Sequence, residues 1–144
     1  MKKIVTKSEK ETFKLGGELA AALKGGAVLA LTGELGAGKT ILTKGIAKGL
    51  GIKSIVNSPT FVLMKIYPVS RQAAHGIKRL VHLDCYRIKN PQEILDLGVA
   101  EWWSQPDTIT IIEWGEKIKS VLPKKTIKIS IKIKKNGREF LTPL

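Results

Sequence analysis

The sequence has a single cysteine and no long apolar run. Because Cys85 has no second cysteine to pair with, an internal disulfide is excluded, and a lone thiol is typical of the reducing cytoplasm. No apolar run approaches the roughly 20 residues that a membrane-spanning helix needs. The polar residues after Lys2 and Lys3 do not form a signal peptide. We therefore expect a cytoplasmic protein with no membrane association.

Acidic residues are also scarce. The chain has 12 Asp and Glu against 25 Lys and Arg, which gives a formal net charge of +13. A surface with this excess attracts polyanions, so RNA and an acidic protein are both candidate partners. Lysines also keep a chain soluble, and a high lysine content suits a thermophilic protein. Composition alone leaves these explanations open.

The chain length and composition favour one compact domain over residues 1–144. Its hydrophobic fraction of 43% is ordinary for a globular protein, and 144 residues are enough to enclose a core. We find no internal repeat, no linker and no low-complexity segment in the sequence. The expected organisation is therefore a single α/β domain.

The most informative stretch is residues 33–40, which follow the P-loop pattern G-x-x-x-x-G-K-T. The apolar residues 27–31 before it predict a buried strand. The apolar spacing of residues 41–50 after it predicts a helix, with Gly51 as its C-terminal cap. This order of strand, glycine loop and helix is the context that the motif requires.

A P-loop of this kind binds phosphate for physical reasons. Glycines allow successive backbone N–H groups to point into one concavity, and the helix directs its positive dipole end at the same place. Lys39 would reach the β- and γ-phosphates of a nucleotide, and the Thr40 hydroxyl would ligate Mg²⁺. An ordinary glycine turn is the less favoured interpretation.

Two further predicted strands end in carboxylates. Residues 79–84 end at Asp84 and residues 108–113 end at Glu113, where parallel strands face the ligand crevice of α/β proteins. Asp84 is a candidate Mg²⁺ ligand, directly or through water. Glu113 is a candidate for polarising the attacking water or for binding Mg²⁺. His82 lies on the same face as Asp84, where a histidine is more often structural than catalytic.

Thr60 lies 21 positions after Lys39 (60 − 39), and Pro59 before it predicts a turn. In nucleotide-dependent switch proteins, a loop residue at about this separation contacts the γ-phosphate or Mg²⁺. On spacing alone, a plain turn between two strands is the favoured interpretation.

Periodicity and turn residues predict the other elements. Ser8 begins a capping box for a helix that stops at Gly25-Gly26. Residues 54–56 and 61–67 are strand candidates, and Asn90-Pro91 begins a short helix.

The C-terminal part of the chain adds an aromatic pair and a hairpin. Of the adjacent Trp102 and Trp103, we expect one to be buried and the other partly exposed. Residues 126–134 alternate isoleucine with polar side chains, and Asn136-Gly137 predicts a type I′ hairpin turn. The predicted fold is a P-loop NTPase-like domain with a mainly parallel sheet, flanking helices and a C-terminal antiparallel hairpin.

Four stretches together resemble one family. Residues 33–40, 58–61, 82–87 and 112–116 have the order and spacing of the TsaE (YjeE) family. The resemblance implies a P-loop ATPase of bacterial tRNA threonylcarbamoyladenosine synthesis that binds ATP with Mg²⁺. It also implies two protein partners, TsaB and TsaD, and a product, N6-threonylcarbamoyladenosine, at position 37 of tRNAs that read codons beginning with A.

The resemblance also implies roles for individual residues. The phosphates would be bound by Leu35, Gly36, Ala37, Gly38, Lys39 and Thr40. Mg²⁺ would be bound by Thr40, by Asp84 as a Walker-B-like carboxylate, and by Glu113. Thr60 would be the switch-like residue, acting in catalysis with Lys39 and Glu113. Trp114 would lie beside the nucleotide, and Arg138 in the hairpin is placed near it.

Three other functions fit parts of the pattern. A small-molecule kinase would need a lid with clustered arginines, whereas Arg71, Arg79 and Arg87 are few and scattered. A GTPase would need Asp-x-x-Gly after the strand that binds Mg²⁺, but Asp84 is followed by Cys-Tyr-Arg, and the chain has no Asn/Thr-Lys-x-Asp. A non-catalytic nucleic-acid-binding module would explain the charge and would bind tRNA without nucleotide.

Overall fold

The structure, a computed structural model, describes residues 1–59, 63–70 and 76–144. Within these ranges seven strands form one sheet. They are β1 (Lys2–Thr6), β2 (Val28–Thr32), β3 (Met64–Pro68), β4 (Arg79–Asp84), β5 (Thr108–Glu113), β6 (Ile127–Lys134) and β7 (Gly137–Thr142). The helices are α1 (Glu9–Ala22), α2 (Lys39–Gly49), α3 (Gln92–Asp96) and α4 (Ala100–Trp103), with a 3₁₀ helix at Gly115–Val121.

The strand order in the sheet is β1-β7-β6-β2-β5-β4-β3. The four central strands, β6, β2, β5 and β4, are parallel to one another. β7 is antiparallel to both β6 and β1, and β3 is antiparallel to β4. The α/β class, the parallel centre and the C-terminal hairpin are therefore confirmed. The predicted type I′ turn at Asn136-Gly137 is wrong: Lys134 pairs with Gly137, and Asn136 does not have the positive φ that this turn requires.

Helices cover the sheet on both faces. α1 and α2 pack on one face over a core that includes Leu29, Leu31 and Ile109. α3, α4 and the 3₁₀ helix lie on the other face, against Val81 and Ile112. All six residues of β5 are buried, as expected for a central parallel strand that is covered on both sides. Its last residue, Glu113, is therefore buried at the C-terminal end of a central strand.

The start of α1 confirms part of the predicted capping box. The Ser8 hydroxyl accepts a hydrogen bond from the backbone N–H of Glu11 at 3.1 Å. The Glu11 carboxylate, however, accepts from the backbone N–H of Lys7 at 2.6 Å rather than from Ser8. Ser8 therefore caps the helix, and Glu11 holds the backbone of Lys7, the residue before the cap.

Two features of the strands differ from the sequence prediction. β1 was not predicted; it forms one edge of the sheet by pairing with β7, with Ile4 opposite Phe140. Residues 54–56, predicted as a strand, form none because they pair with no other strand. Val56 is buried in the core and Ile55 is 84% exposed, so alternation arises there without a sheet.

Two other predictions, the bounds of one strand and the burial of the tryptophan pair, differ from the structure. The strand predicted at 61–67 is observed as β3 at Met64–Pro68, and residues 61 and 62 lie outside the described part. Trp102 and Trp103 are both half-buried on α4, where they pack against the core of that face, so neither is the fully buried member that we predicted.

No helix in the described ranges is long and apolar enough to cross a membrane. The prediction of one domain over residues 1–144 and the cytoplasmic location stay predictions.

Candidate nucleotide-binding site

The P-loop joins the end of β2 to the start of α2, as predicted. Gly36 and Gly38 have φ angles of +78° and +104°, in the left-handed region that favours glycine. Gly38 is the N-cap of α2, an 11-residue helix, so the positive end of the helix dipole faces the loop. A Cβ on Gly36 would meet nothing within 4 Å, so the backbone angle, not lack of space, requires glycine there.

Lys39 is held inside this loop. Its ammonium donates to the backbone carbonyls of Gly33 at 2.6 Å and Glu34 at 2.8 Å. It also lies 3.9 Å from the centre of the Trp114 ring, within the range of a cation–π contact. Burial lowers the pKa of Lys39, and the nearby negative charge of Glu113 opposes that shift. A phosphate would give this buried cation the charged partner that the neutral carbonyls do not provide.

Glu113 connects the P-loop to the neighbouring strand. Its Oε1 accepts a hydrogen bond from the Thr40 hydroxyl at 2.7 Å, and its Oε2 lies 2.5 Å from Nε2 of His82. Because a carboxylate only accepts, His82 Nε2 carries the proton in this contact. Glu113 is 2% exposed and His82 is fully buried. The three side chains form a continuous chain from the loop into the sheet.

Asp84 lies directly beside Glu113, since β4 and β5 pair in register at these two residues. Its Oδ2 accepts from the Ser58 hydroxyl at 2.5 Å, and its Oδ1 accepts from the backbone N–H of Tyr86 at 2.9 Å. The first contact ties the loop that leads toward Thr60 to the site. Thr60 itself lies outside the described residues, so its role stays a prediction.

Trp114 has an unusual backbone. Its φ of 60° makes it the one residue other than glycine with a positive φ among those described. Its ring centre lies 4.9 Å from that of Tyr86, and the Lys39 ammonium lies against it. A side chain held in a sparsely populated conformation beside a cleft is typical of functional sites.

These side chains line one cleft of about 440 Å³. The predicted site residues that line it are Leu35, Gly36, Gly38, Lys39, Thr40, Asp84, Glu113 and Trp114. Ala37 does not line it: its side chain is fully buried, and its backbone N–H donates to the Glu34 carbonyl at 3.1 Å. Ser58, Tyr86 and Arg87 line the cleft as well.

The donor atoms fit a magnesium ion. Asp84 and Glu113 present carboxylate oxygens and Thr40 a hydroxyl, all hard oxygen ligands on one cleft. In the part of the chain that the structure describes, no three His, Cys, Asp or Glu side chains form a group that could hold a metal ion alone. Mg²⁺ usually takes only one or two carboxylates and completes its shell with water and substrate phosphates, which agrees with this set.

Arg138 shows how the hairpin reaches the site. Its Nη2 donates to the carbonyl of Gly36 at 3.1 Å, which links the start of β7 to the P-loop 102 positions earlier in the chain. Arg138 therefore lies beside the P-loop, and its contact with a nucleotide stays a prediction. For His82, the sequence offered one signal, its position two residues before Asp84, and that signal did not identify Glu113 as its partner.

Comparison with known proteins gives a consistent result. The family model described as threonylcarbamoyl adenosine biosynthesis protein TsaE matches residues 6–140. The chain is 36% identical over 138 residues to the tRNA threonylcarbamoyladenosine biosynthesis protein TsaE of Treponema pallidum, covering 96% of each. It is 42% identical over 127 residues to that of Bacillus subtilis, covering 88% of this chain and 75% of the relative.

A solved structure agrees as well. The crystal structure of Bacillus subtilis YdiB matches with a TM-score of 0.77 at 36% sequence identity, covering 98% of this chain and 83% of that one.

Proposed function

The chain belongs to the TsaE family of threonylcarbamoyl adenosine biosynthesis proteins, and on that premise we propose that it is an ATPase acting in this tRNA modification. It binds ATP with Mg²⁺ and hydrolyses it. The hydrolysis assists TsaB and TsaD in forming N6-threonylcarbamoyladenosine at position 37 of tRNAs that read codons beginning with A.

One observation carries the proposed ATPase activity: the hydrogen bond between Thr40 and Glu113. It joins the P-loop hydroxyl to a carboxylate 73 positions later in the chain, at 2.7 Å. P-loop ATPases combine these two groups around the phosphates, because the hydroxyl binds Mg²⁺ and a strand-end carboxylate acts on the metal or on water.

The proposed mechanism follows from what each side chain can do. The loop backbone and Lys39 bind the β- and γ-phosphates and stabilise the charge that develops on them. A Mg²⁺ ion held by Thr40 and the neighbouring carboxylates would supply further neutralisation of the phosphate charge. Glu113 orients the attacking water and accepts its proton, and Thr40 with Asp84 holds the metal side of the site.

We propose that partner binding completes this site. Ser58 already contacts Asp84, so the loop that continues to Thr60 begins at the cleft. Docking of TsaB–TsaD against this loop would fix Thr60 beside the γ-phosphate, and hydrolysis by the chain alone would be slow.

The test is ATP hydrolysis by the purified chain with and without a TsaB–TsaD pair, with Lys39→Ala as the control. We expect the pair to stimulate turnover strongly and Lys39→Ala to remove phosphate binding and turnover. If the chain alone hydrolyses ATP fast and the TsaB–TsaD pair does not change the rate, the proposed partnership is contradicted. ATP hydrolysis at the P-loop would then still stand.

A small-molecule kinase remains the alternative function. Arg79, one of its candidate lid arginines, instead donates to Asp107 at 2.7 Å at the far end of β4. A phosphorylated product from a panel of metabolites would favour the kinase.

A further inference from the structure

One face of the sheet is left open next to the site-bearing strands. On the sheet face opposite to α1 and α2, the helices α3 and α4 and the 3₁₀ helix cover β2, β4 and β5. On that face, the described residues place no helix over β6, β7 and β1. We call this surface the lysine face and define it by Lys3, Lys128, Lys132, Lys134 and Glu139. Its lysines are all exposed.

Strand alternation creates this face. Ile129 and Ile131 of β6 point into the core under α1 and α2, so Lys128 and Lys132 point to the opposite side. In the register of the sheet, Lys132 lies opposite Glu139 of β7, and Glu139 lies beside β1. The lysines therefore occupy defined positions on a flat, paired surface.

The face keeps an excess of positive charge. Its one carboxylate, Glu139, lies 3.6 Å from the Lys3 ammonium and 3.9 Å from that of Lys134. Within the described ranges, Lys128 and Lys132 have no carboxylate at ion-pair distance. Four lysines and one glutamate leave a charge of +3 (4 − 1) on the face.

Protection of a sheet edge does not explain these lysines. Edge lysines prevent strands of different molecules from pairing, but β6 is third in the strand order, between β7 and β2. Lys128 lies in the part of β6 that pairs with β2, Lys132 and Lys134 lie in the part that pairs with β7, and Ser130 pairs with both strands. The lysines of β6 thus need another explanation, and a ligand of opposite charge is one.

The spacing fits a regular polyanion. Alternate residues on a strand lie about 7 Å apart, so the face of β6 runs about 20 Å from Lys128 through Ser130 and Lys132 to Lys134. No aromatic side chain lies among the residues that define the face, so it offers contacts to phosphates and no stacking platform for bases. An acidic protein surface would be expected to present its charges less regularly.

We propose that the lysine face binds the sugar–phosphate backbone of RNA without regard to base sequence. The charge argument stands alone, and the identification of that RNA as tRNA rests on the proposed function. The face lies on the side of β6 away from α2, so RNA bound there does not need to enter the nucleotide cleft.

The test uses a fluorescently labelled, unmodified tRNA transcript and the whole chain without nucleotide. The face variant is Lys128→Thr/Lys132→Thr/Lys134→Thr, with a residue type that favours strands. The matched control is Lys14→Gln/Lys24→Gln/Lys48→Gln. These three exposed lysines lie in or next to α1 and α2, away from the lysine face. Both variants lower the net charge from +13 to +10 (13 − 3).

We expect the face variant to bind the transcript at least about tenfold more weakly at 0.1 M salt. Its slope of log affinity against log salt should fall by about 2 to 3, because each lost phosphate contact removes about 0.7 to 0.9. The control should change affinity by less than about threefold, and circular dichroism should show that both variants fold like the parent chain.

Three results would overturn the proposal. Equal losses in the two variants would show that only total charge matters. Unchanged tRNA binding by the face variant, with lost TsaB–TsaD binding, would assign the face to an acidic protein. Displacement of the transcript by polyglutamate at equal charge concentration would remove the preference for RNA.

ATP hydrolysis, measured in parallel, separates this inference from the proposed function. If the parent chain hydrolyses ATP but binds the transcript only weakly, the RNA-binding role of the face is rejected and the ATPase activity stands. If the parent chain binds the transcript through the face but does not hydrolyse ATP, only the ATPase activity is rejected.

Discussion

At the residue scale, the two carboxylates that end β4 and β5 differ in their partners. Glu113 is buried and bonded to Thr40 and His82, whereas Asp84 is bonded to Ser58 and to the backbone of Tyr86. Glu113 is thus part of the rigid P-loop side of the cleft. Asp84 is connected to the loop that precedes Thr60, so we assign partner-dependent changes to the Asp84 side.

The role of Glu113 can be separated from nucleotide binding with Glu113→Gln. The amide still offers an oxygen to Thr40 but removes the negative charge that activates water. We expect hydrolysis to fall at least about a hundredfold, within the range for loss of a general base, while the affinity for ATP changes by less than about threefold. Single-turnover hydrolysis and calorimetric ATP titration measure the two effects. Equal losses of binding and hydrolysis would argue against a catalytic role.

His82 should act on hydrolysis through Glu113. His82→Phe removes the donor to Oε2 and should lower kcat about 10- to 100-fold, as losses of supporting hydrogen bonds to site ligands do. His82→Gln keeps a donor amide, so it should recover part of that loss with little change in KM. If Gln and Phe reduce kcat equally, His82 fills space and does not position Glu113.

Sequence reasoning located these carboxylates but not their partners. Strand periodicity placed Asp84 and Glu113 at the C-terminal ends of two strands. Because these strands are parallel and adjacent, both carboxylates lie on the same side of the sheet. Which atom each one bonds depends on how loops distant in sequence pack together. Periodicity carries no information on that, so the chain from Thr40 to His82 emerged only in the structure.

At the scale of the elements, α1 and α2 pack very closely because glycines lie between them. A Cβ on Gly16 would approach the Leu42 carbonyl to 2.6 Å, and one on Gly45 would approach the Phe13 carbonyl to 2.1 Å. Both contacts are with backbone, which cannot move aside as a flexible side chain can. The close approach holds α2, and with it the P-loop, against α1.

Gly16→Ala and Gly17→Ala form a matched pair that tests this packing. The first should lower the free energy of unfolding by about 2 kcal/mol or more, because overpacking against rigid backbone is destabilising. The second has its nearest neighbour at 3.9 Å and should raise it by about 0.5 to 1 kcal/mol through helix propensity. Urea denaturation measures both, and similar effects at the two positions would contradict the packing argument.

Strands were predicted well where burial imposes a pattern and poorly elsewhere. The bounds of β4 and β5 match the prediction, because both strands are buried along most or all of their length between covered faces and carry a dense set of apolar residues. β1 has only Ile4 and Val5 as apolar residues and gains its order from β7, more than 130 positions away. Residues 54–56 show the reverse error, since short apolar alternation also occurs in a loop that anchors one side chain.

At the scale of the whole molecule, the order of the strands determines which residues meet at the cleft. β2 lies between β6 and β5, so the loop after β2 opens beside Glu113 and one strand away from Asp84. The P-loop pattern and the parallel order together predict this meeting point. The open face of β6, β7 and β1 was not predicted, because the alternating lysines gave no information on what covers them.

The net charge predicts how salts affect stability. With +13 on a small chain, self-repulsion destabilises the compact state, and the Debye length falls from about 30 Å at 0.01 M to about 8 Å at 0.15 M salt. We expect the midpoint of thermal unfolding to rise as NaCl is added over this range. Sodium sulfate at equal ionic strength should raise it further, for two separable reasons.

Sulfate strengthens burial of apolar groups in general, and it is also a tetrahedral anion that suits a P-loop at a helix N-terminus. Only the second effect needs Lys39, since binding to the native state alone stabilises it by mass action. The difference between the sulfate and chloride midpoints should therefore shrink in Lys39→Ala, while the response to NaCl stays as in the parent chain. An unchanged sulfate excess in Lys39→Ala would mean that the loop, as the isolated chain holds it, does not bind a phosphate-like anion through Lys39.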